Sequence, residues 1–154
     1  ALLDLAAVWP GQRLVLAGAT SPYSAEVQQQ VHARALNNVT IRLDINEAQK
    51  TWLYAHCVGF VFPSLAEGFG LPPIEAMHFG KPVFLSRLTS LPEVGGDAAW
   101  YFDSFDGAAM RAVIEAGLSA PDRSAAIAAH ARRFSWPRCA EEHIALYRRL
   151  LPSR

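Results

Sequence analysis

The sequence is poor in cysteine, carries no net charge and has no long apolar run, and each shortage excludes something. Only Cys57 and Cys139 occur in 154 residues. Two thiols so far apart make neither a disulfide framework nor a metal-ligand cluster. They read as buried free thiols of a cytoplasmic protein. Lys plus Arg number 14 and Asp plus Glu number 14, so the formal net charge is zero. That removes the basic footprint nucleic-acid binding relies on, and no nucleic acid is expected as a partner. No apolar stretch reaches the roughly 18 residues of a membrane span. The opening "ALLDLAAVWPG" has no basic start and meets Pro10 early, unlike a signal peptide. It also lacks Met and reads as the middle of a helix, which suggests a piece of a longer protein. There is no internal repeat, low-complexity tract or linker.

What is present is a chain of 51% hydrophobic and 18% charged residues. That suits one domain over 1–154 with a real core. Short apolar runs alternate with helical patterns. "RLVLAG" (13–18), "NVTIRLD" (38–44), "VGFVFP" (58–63), "PVFLS" (82–86) and "AWYFD" (99–103) read as buried parallel strands. Helices are expected at 2–9, over "SAEVQQQVHARAL", at 47–57, from Leu71 to Gly80, at 106–118, at 122–133 and at 137–151. Asn46 with Gln49 three residues on forms a capping box. Trp52, Leu53 and Ala55 are expected to face a core. The alternation predicts an α/β fold: a Rossmann-like parallel sheet with helices on both faces. In such sheets, ligands bind beyond the carboxyl ends of the strands.

That rule directs attention to "FPSLAEGFGLPPIEAMHFGKPV" (62–83), which follows the third strand. Gly68 and Gly70 flank Phe69, so the backbone there is free to take positive φ and approach a ligand. Pro72 and Pro73 fit the first turn of a helix, where N–H groups lack internal partners. The helix start and its dipole favour an anion, most often a phosphate. The N–H groups of Phe69, Gly70 and Leu71 remain available as donors. Glu75 lies early in the helix, where a carboxylate holds ribose hydroxyls in nucleotide-binding α/β domains. Glu67 lies on the loop and faces another part of the same ligand. The plainer alternative is punctuation: Gly, Pro and Glu are ordinary at a helix start.

The run Ser64-x-x-Glu67-Gly68-Phe69-Gly70-Leu71-Pro72, then Glu75, the Ala76-Met77 pair, Gly80-x-Pro82-Val83 and Leu91-Pro92-Glu93-Val94, comes in an order that resembles family 4 glycosyltransferases. It is similar to their C-terminal, donor-binding half, and the chain would then be half of a GT-B fold. The ordered series covers about 40 residues, with a weaker likeness over the rest. The resemblance implies that Glu75 holds the ribose of a nucleotide-diphosphate sugar. Glu67 would be the catalytic-site carboxylate, binding hydroxyls of the donor sugar near the reacting carbon. Ser64, Gly68, Phe69, Gly70 and Leu71 would line the donor. It implies a retaining transferase with no cofactor and no metal, and a base lying near Leu43 to Ile45. It further implies two missing parts: a first strand whose loop carries an Arg and a Lys for the diphosphate, and an N-terminal acceptor domain. The chain alone would then be inactive, and any peripheral membrane association would run through the missing part. Two other readings stay open. One is a non-catalytic nucleotide-sugar-binding module of the same fold. The other is a sugar-nucleotide epimerase of the same architecture, against which the Glu-Gly-Phe-Gly-Leu-Pro series argues.

Several residues read as structural. His56 and His78 sit beside apolar neighbours on helices, His130 and His143 read as solvated, and Arg87 reads as a solvated loop cation. Glu93 suits the start of a helical turn. Trp52, Trp100 and Trp136 suit a core or a packing face. The last helix carries Ile144, Tyr147 and Leu151 on one stripe, which the resemblance would direct toward the missing domain, leaving an exposed apolar face here.

Overall fold

The computed structural model describes residues 1–151. In chain order the elements are α1 (Leu2–Val8), β1 (Leu14–Gly18), α2 (Pro22–Ala33), β2 (Val39–Leu43), α3 (Glu47–His56), β3 (Phe60–Phe62), α4 (Leu71–His78), β4 (Val83–Ser86), α5 (Leu91–Gly95), a 3-10 turn (Gly96–Ala98), β5 (Trp100–Phe102), α6 (Gly107–Ser119), α7 (Ser124–Ala131) and α8 (Trp136–Leu150). The local signals explain the boundaries. The Asn46 side chain accepts from the Gln49 N–H at 2.9 Å and the Gln49 side chain from the Asn46 N–H at 3.0 Å. α2 starts earlier than its apolar spacing suggests, because Ser21 accepts from the Ser24 N–H at 3.1 Å and Pro22 occupies the first turn.

All pairing is parallel. β4 is buried along its whole length, as a strand covered on both faces must be. Its alternation divides the core. Val83 and Leu85 join Ile74, Ala76 and Met77 of α4, Leu91 and Val94 of α5 and Ile127 of α7. Phe84 points the other way, to Leu5 of α1 and to Met110 and Ile114 of α6. Helices on both faces are thus borne out.

The strands do not make one sheet. β1–β2 is one ladder and β3–β4–β5 another. α1 bridges the two: Leu3 and Ala6 pack with Leu14 and Leu16 of β1, while Leu5 packs in the core of the larger ladder. The Leu14 N–H donates to Asn38 and the Phe60 N–H to Pro82. In a parallel ladder alternate residues face the same neighbour. The backbone groups of Val15, Ala17 and Val61 therefore point away from it.

Four expectations are corrected. Trp52 is 59% exposed and stacks on His56 at 4.3 Å, while its neighbour Tyr54 takes the core position. Trp136 is 77% exposed, since α8 buries none of its residues. Cys139 is an exposed thiol on that helix, and Cys57 is only half-buried. His130 is not simply solvated: its Nε2 lies 2.8 Å from the Val94 carbonyl, pinning α7 to α5. Among the described residues no helix is long and apolar enough to cross a membrane.

The ladder geometry has a measurable outcome. Amide exchange followed by NMR should find Val15, Ala17 and Val61 less protected than Leu16 and Phe60, because hydrogen-bonded edges resist opening. Equal protection on both sides would mean that the free edges are covered.

Candidate functional site

The carboxyl ends of the strands gather the 64–70 loop and the segments that follow β1, β2 and β4. β3 runs into Pro63 and the 64–70 loop, which feeds α4. Gly70 caps α4 with φ +100°, and a Cβ on it would lie 2.9 Å from Leu91 Cδ2. Only glycine meets both conditions. Gly68 is different from what its position suggests. It is not among the positive-φ residues, and a Cβ there would meet nothing within 4 Å. Its contribution is open space beside the loop rather than a special backbone angle. Gly80 closes α4 with φ +67°, as expected.

The loop is held from β4 and its following turn. Ser86 is fully buried at the end of β4, and its hydroxyl donates to the Ser64 carbonyl. The Glu67 N–H donates to Thr89 Oγ1 at 3.1 Å, and the Ser90 hydroxyl donates to the Phe69 carbonyl at 2.9 Å. The Ser64 hydroxyl then orients the functional group itself, donating to Glu67 Oε1 at 2.8 Å. Phe69 and Leu71 are exposed, with Phe69 edge-on to Phe134 at 5.9 Å.

Glu75 has a separate support on α3. Its Oε2 accepts from the Tyr54 hydroxyl at 3.0 Å and its Oε1 from Lys50 Nζ at 3.4 Å. Lys50 also reaches Glu47 at 2.9 Å. The Glu47 carboxylate first, then Glu75, hold the ammonium charged above its usual range. Burial, then the neighbouring Glu75, pushes the Tyr54 phenol well above its usual range, so it stays a donor at neutral pH. The two glutamates therefore attach to different elements, and among the described residues no hydrogen bond joins them.

On the other side of the strand ends, the Thr20 N–H donates to Asp44 Oδ1 at 2.9 Å and its hydroxyl donates to Oδ2. That ties the loop after β1 to the loop after β2, next to Ile45. Asp44 (φ 51°) and Thr89 (φ 52°) hold left-handed backbone at the strand ends, as does Ala35 (φ 50°) before β2, away from them. Arg87 is engaged with Asp103 at 2.9 Å and lies over the Tyr101 ring at 4.7 Å. Glu93 sits exposed in the first turn of α5. Thr20, Asp44, Lys50, Tyr54, Ser86, Thr89 and Ser90 escaped sequence reasoning. Their only signal was membership of strand-end segments and of the α3 helix.

A family model, glycosyl transferases group 1, matches residues 2–134. The chain belongs to this family. Among curated relatives of this glycosyltransferase chain, O-antigen chain mannosyltransferase B of Escherichia coli is 46% identical over 103 residues, 64% of this chain and 27% of that protein. D-inositol 3-phosphate glycosyltransferase of Segniliparus rotundus is 32% identical over 162 residues, 98% of this chain and 36% of that protein. The chain thus spans about a quarter of the first relative and little more than a third of the second. Sucrose-phosphate synthase from Thermosynechococcus elongatus superposes with a TM-score of 0.78 at 25% identity, over 96% of this chain and 41% of that one. The architecture is that of half of a GT-B glycosyltransferase fold.

Gly70 gives a direct check on the loop. Gly70→Ala should cost about 1–3 kcal/mol of stability, from the left-handed strain and the Leu91 contact together. Urea unfolding of the variant beside the unaltered chain measures it.

Proposed function

We propose that this chain is the donor-binding part of a retaining, metal-independent glycosyltransferase that moves a sugar from a nucleotide-diphosphate sugar to a glycan, lipid or other saccharide. One observation carries the reading: two carboxylates beyond the carboxyl end of β3, each fixed by its own partners and both beside the start of α4. Glu75 holds the ribose diol. Glu67, oriented by Ser64, binds hydroxyls of the donor sugar near the reacting carbon. The backbone at Gly68, Phe69, Gly70 and Leu71 lines the sugar and diphosphate, with the α4 dipole favouring the phosphates. The base lies by Ile45, behind the Thr20–Asp44 tie. Relatives named as mannosyltransferases make a mannosyl donor the first to test.

In this reading the sugar–phosphate bond breaks through an oxocarbenium-like state, and fixed dipoles stabilise the departing diphosphate. The acceptor approaches from the same face. Two parts lie outside the chain: an acceptor-binding domain, and a strand seated between β1 and β3 that unites the two ladders and brings cations to the diphosphate. α1 supports that strand. α2, α4 and α5 each cross over between paired parallel strands, and a strand before α1 would make α1 such a connection as well. On this reading the 154 residues alone transfer no sugar.

In the full-length protein, Glu75→Ala should weaken nucleoside diphosphate binding about tenfold to a hundredfold, the worth of a charge-assisted hydrogen bond. Calorimetric titration with UDP, GDP and ADP measures it, and unchanged affinity would remove Glu75 from the ribose. Glu67→Gln should lower kcat about a hundredfold or more while donor affinity changes little. Turnover should also persist after EDTA treatment; loss restored by a divalent cation would overturn metal independence.

A further inference from the structure

Glu75 is gripped from behind by one rigid donor and one flexible one. Tyr54 is 9% exposed. Its ring meets the edge of Phe60 at 5.5 Å and stacks near Phe79 at 6.3 Å, so the hydroxyl on Glu75 Oε2 has one place to be. Lys50 sits on Oε1 at the longer distance and is shared with Glu47. Its four-carbon stem allows other positions. An ionised carboxylate offers about four acceptor positions, two on each oxygen. Tyr54 takes one on Oε2 and Lys50 one on Oε1. One position on each oxygen remains, and the Glu75 side chain is 39% exposed, so the carboxylate is within reach of a ligand. Two free acceptors on the two oxygens of one carboxylate suit a vicinal pair of hydroxyls.

We propose that Tyr54 is a positioning residue for donor recognition: its hydroxyl fixes the Glu75 carboxylate so that the two remaining acceptor positions meet both hydroxyls of a ribose, and it thereby sets the preference for ribonucleotides over deoxyribonucleotides. This rests on the assignment of Glu75 to the ribose. Without the Tyr54 hydroxyl, the carboxylate is held only by Lys50 and turns about its last torsion. It then still accepts one hydroxyl but no longer presents two aligned positions. A tyrosine that merely fills the core would affect stability without touching this preference.

The test compares UDP, GDP and ADP with their 2′-deoxy counterparts by calorimetry on the full-length protein, unaltered and as Tyr54→Phe and Glu75→Gln. The unaltered protein should prefer the ribonucleotide. Tyr54→Phe should cut that preference about fivefold to tenfold, the worth of losing one aligned hydrogen bond, with affinity for the deoxy form unchanged. An undiminished preference in Tyr54→Phe, alongside its loss in Glu75→Gln, would leave the ribose assignment standing and overturn the positioning role. No preference in the unaltered protein would overturn both. Should Tyr54→Phe fail to fold, the Tyr54 phenol is followed by NMR instead. Ribonucleotide should shift its resonance more than the deoxy form. Equal shifts from both nucleotides would overturn the proposal.

Discussion

The burial of β4 on both faces is the constraint from which the site follows. A strand with no wet face must be covered by helices above and below. Val83 and Leu85 call for α4, α5 and α7, and Phe84 calls for α1 and α6. The same burial reaches Ser86, a hydroxyl shut away from water at the strand's end. A buried hydroxyl without a partner costs a few kcal/mol, and the carbonyl of Ser64 supplies the partner. The core thus reaches the loop through one hydrogen bond, and Ser64 passes the order on to Glu67.

The two glutamates divide the labour because different elements hold them. Glu67 depends on β4 and the turn after it, through Thr89 and Ser64. Glu75 depends on α3, through Tyr54 and Lys50. Gly70 separates the two by turning the chain through a left-handed residue at the start of α4. A loop-borne carboxylate and a helix-borne one, adjusted independently, suit a ligand with two chemically different ends.

Much of the fold was legible in the sequence, because continuous apolar runs and helix caps are local signals. The strands and helices, the caps at Asn46 and Gly70 and the αL close at Gly80 all follow from neighbouring residues. The glutamates were legible for the same reason: a loop and a helix start declare themselves in a short window. The split of the sheet was not, since which edges pair is a property of topology. Nor were the groups that hold the glutamates. Thr89 reaches back 22 residues, Ser90 reaches back 21, and Lys50 and Tyr54 reach forward 25 and 21. Trp52 and Tyr54 stand two apart on a ten-residue helix, too short for its period to say which faces inward. Gly68 misled because a glycine is read first as a conformational device, and here it is only small.

The docking of α1 also sets an order of events in time. Arg111 on α6 donates to the Val8 carbonyl across 103 residues of chain, and α1 is the element that bridges both ladders. Closing so long a loop carries an entropic cost that local contacts cannot offset in advance. As the polypeptide leaves the ribosome, the two ladders can each assemble from near neighbours. They cannot be locked together until α6 has emerged. One side of the first helix can settle on β1 early, but its Leu5 side waits for β4, β5 and α6, and until then that side is what a chaperone would meet.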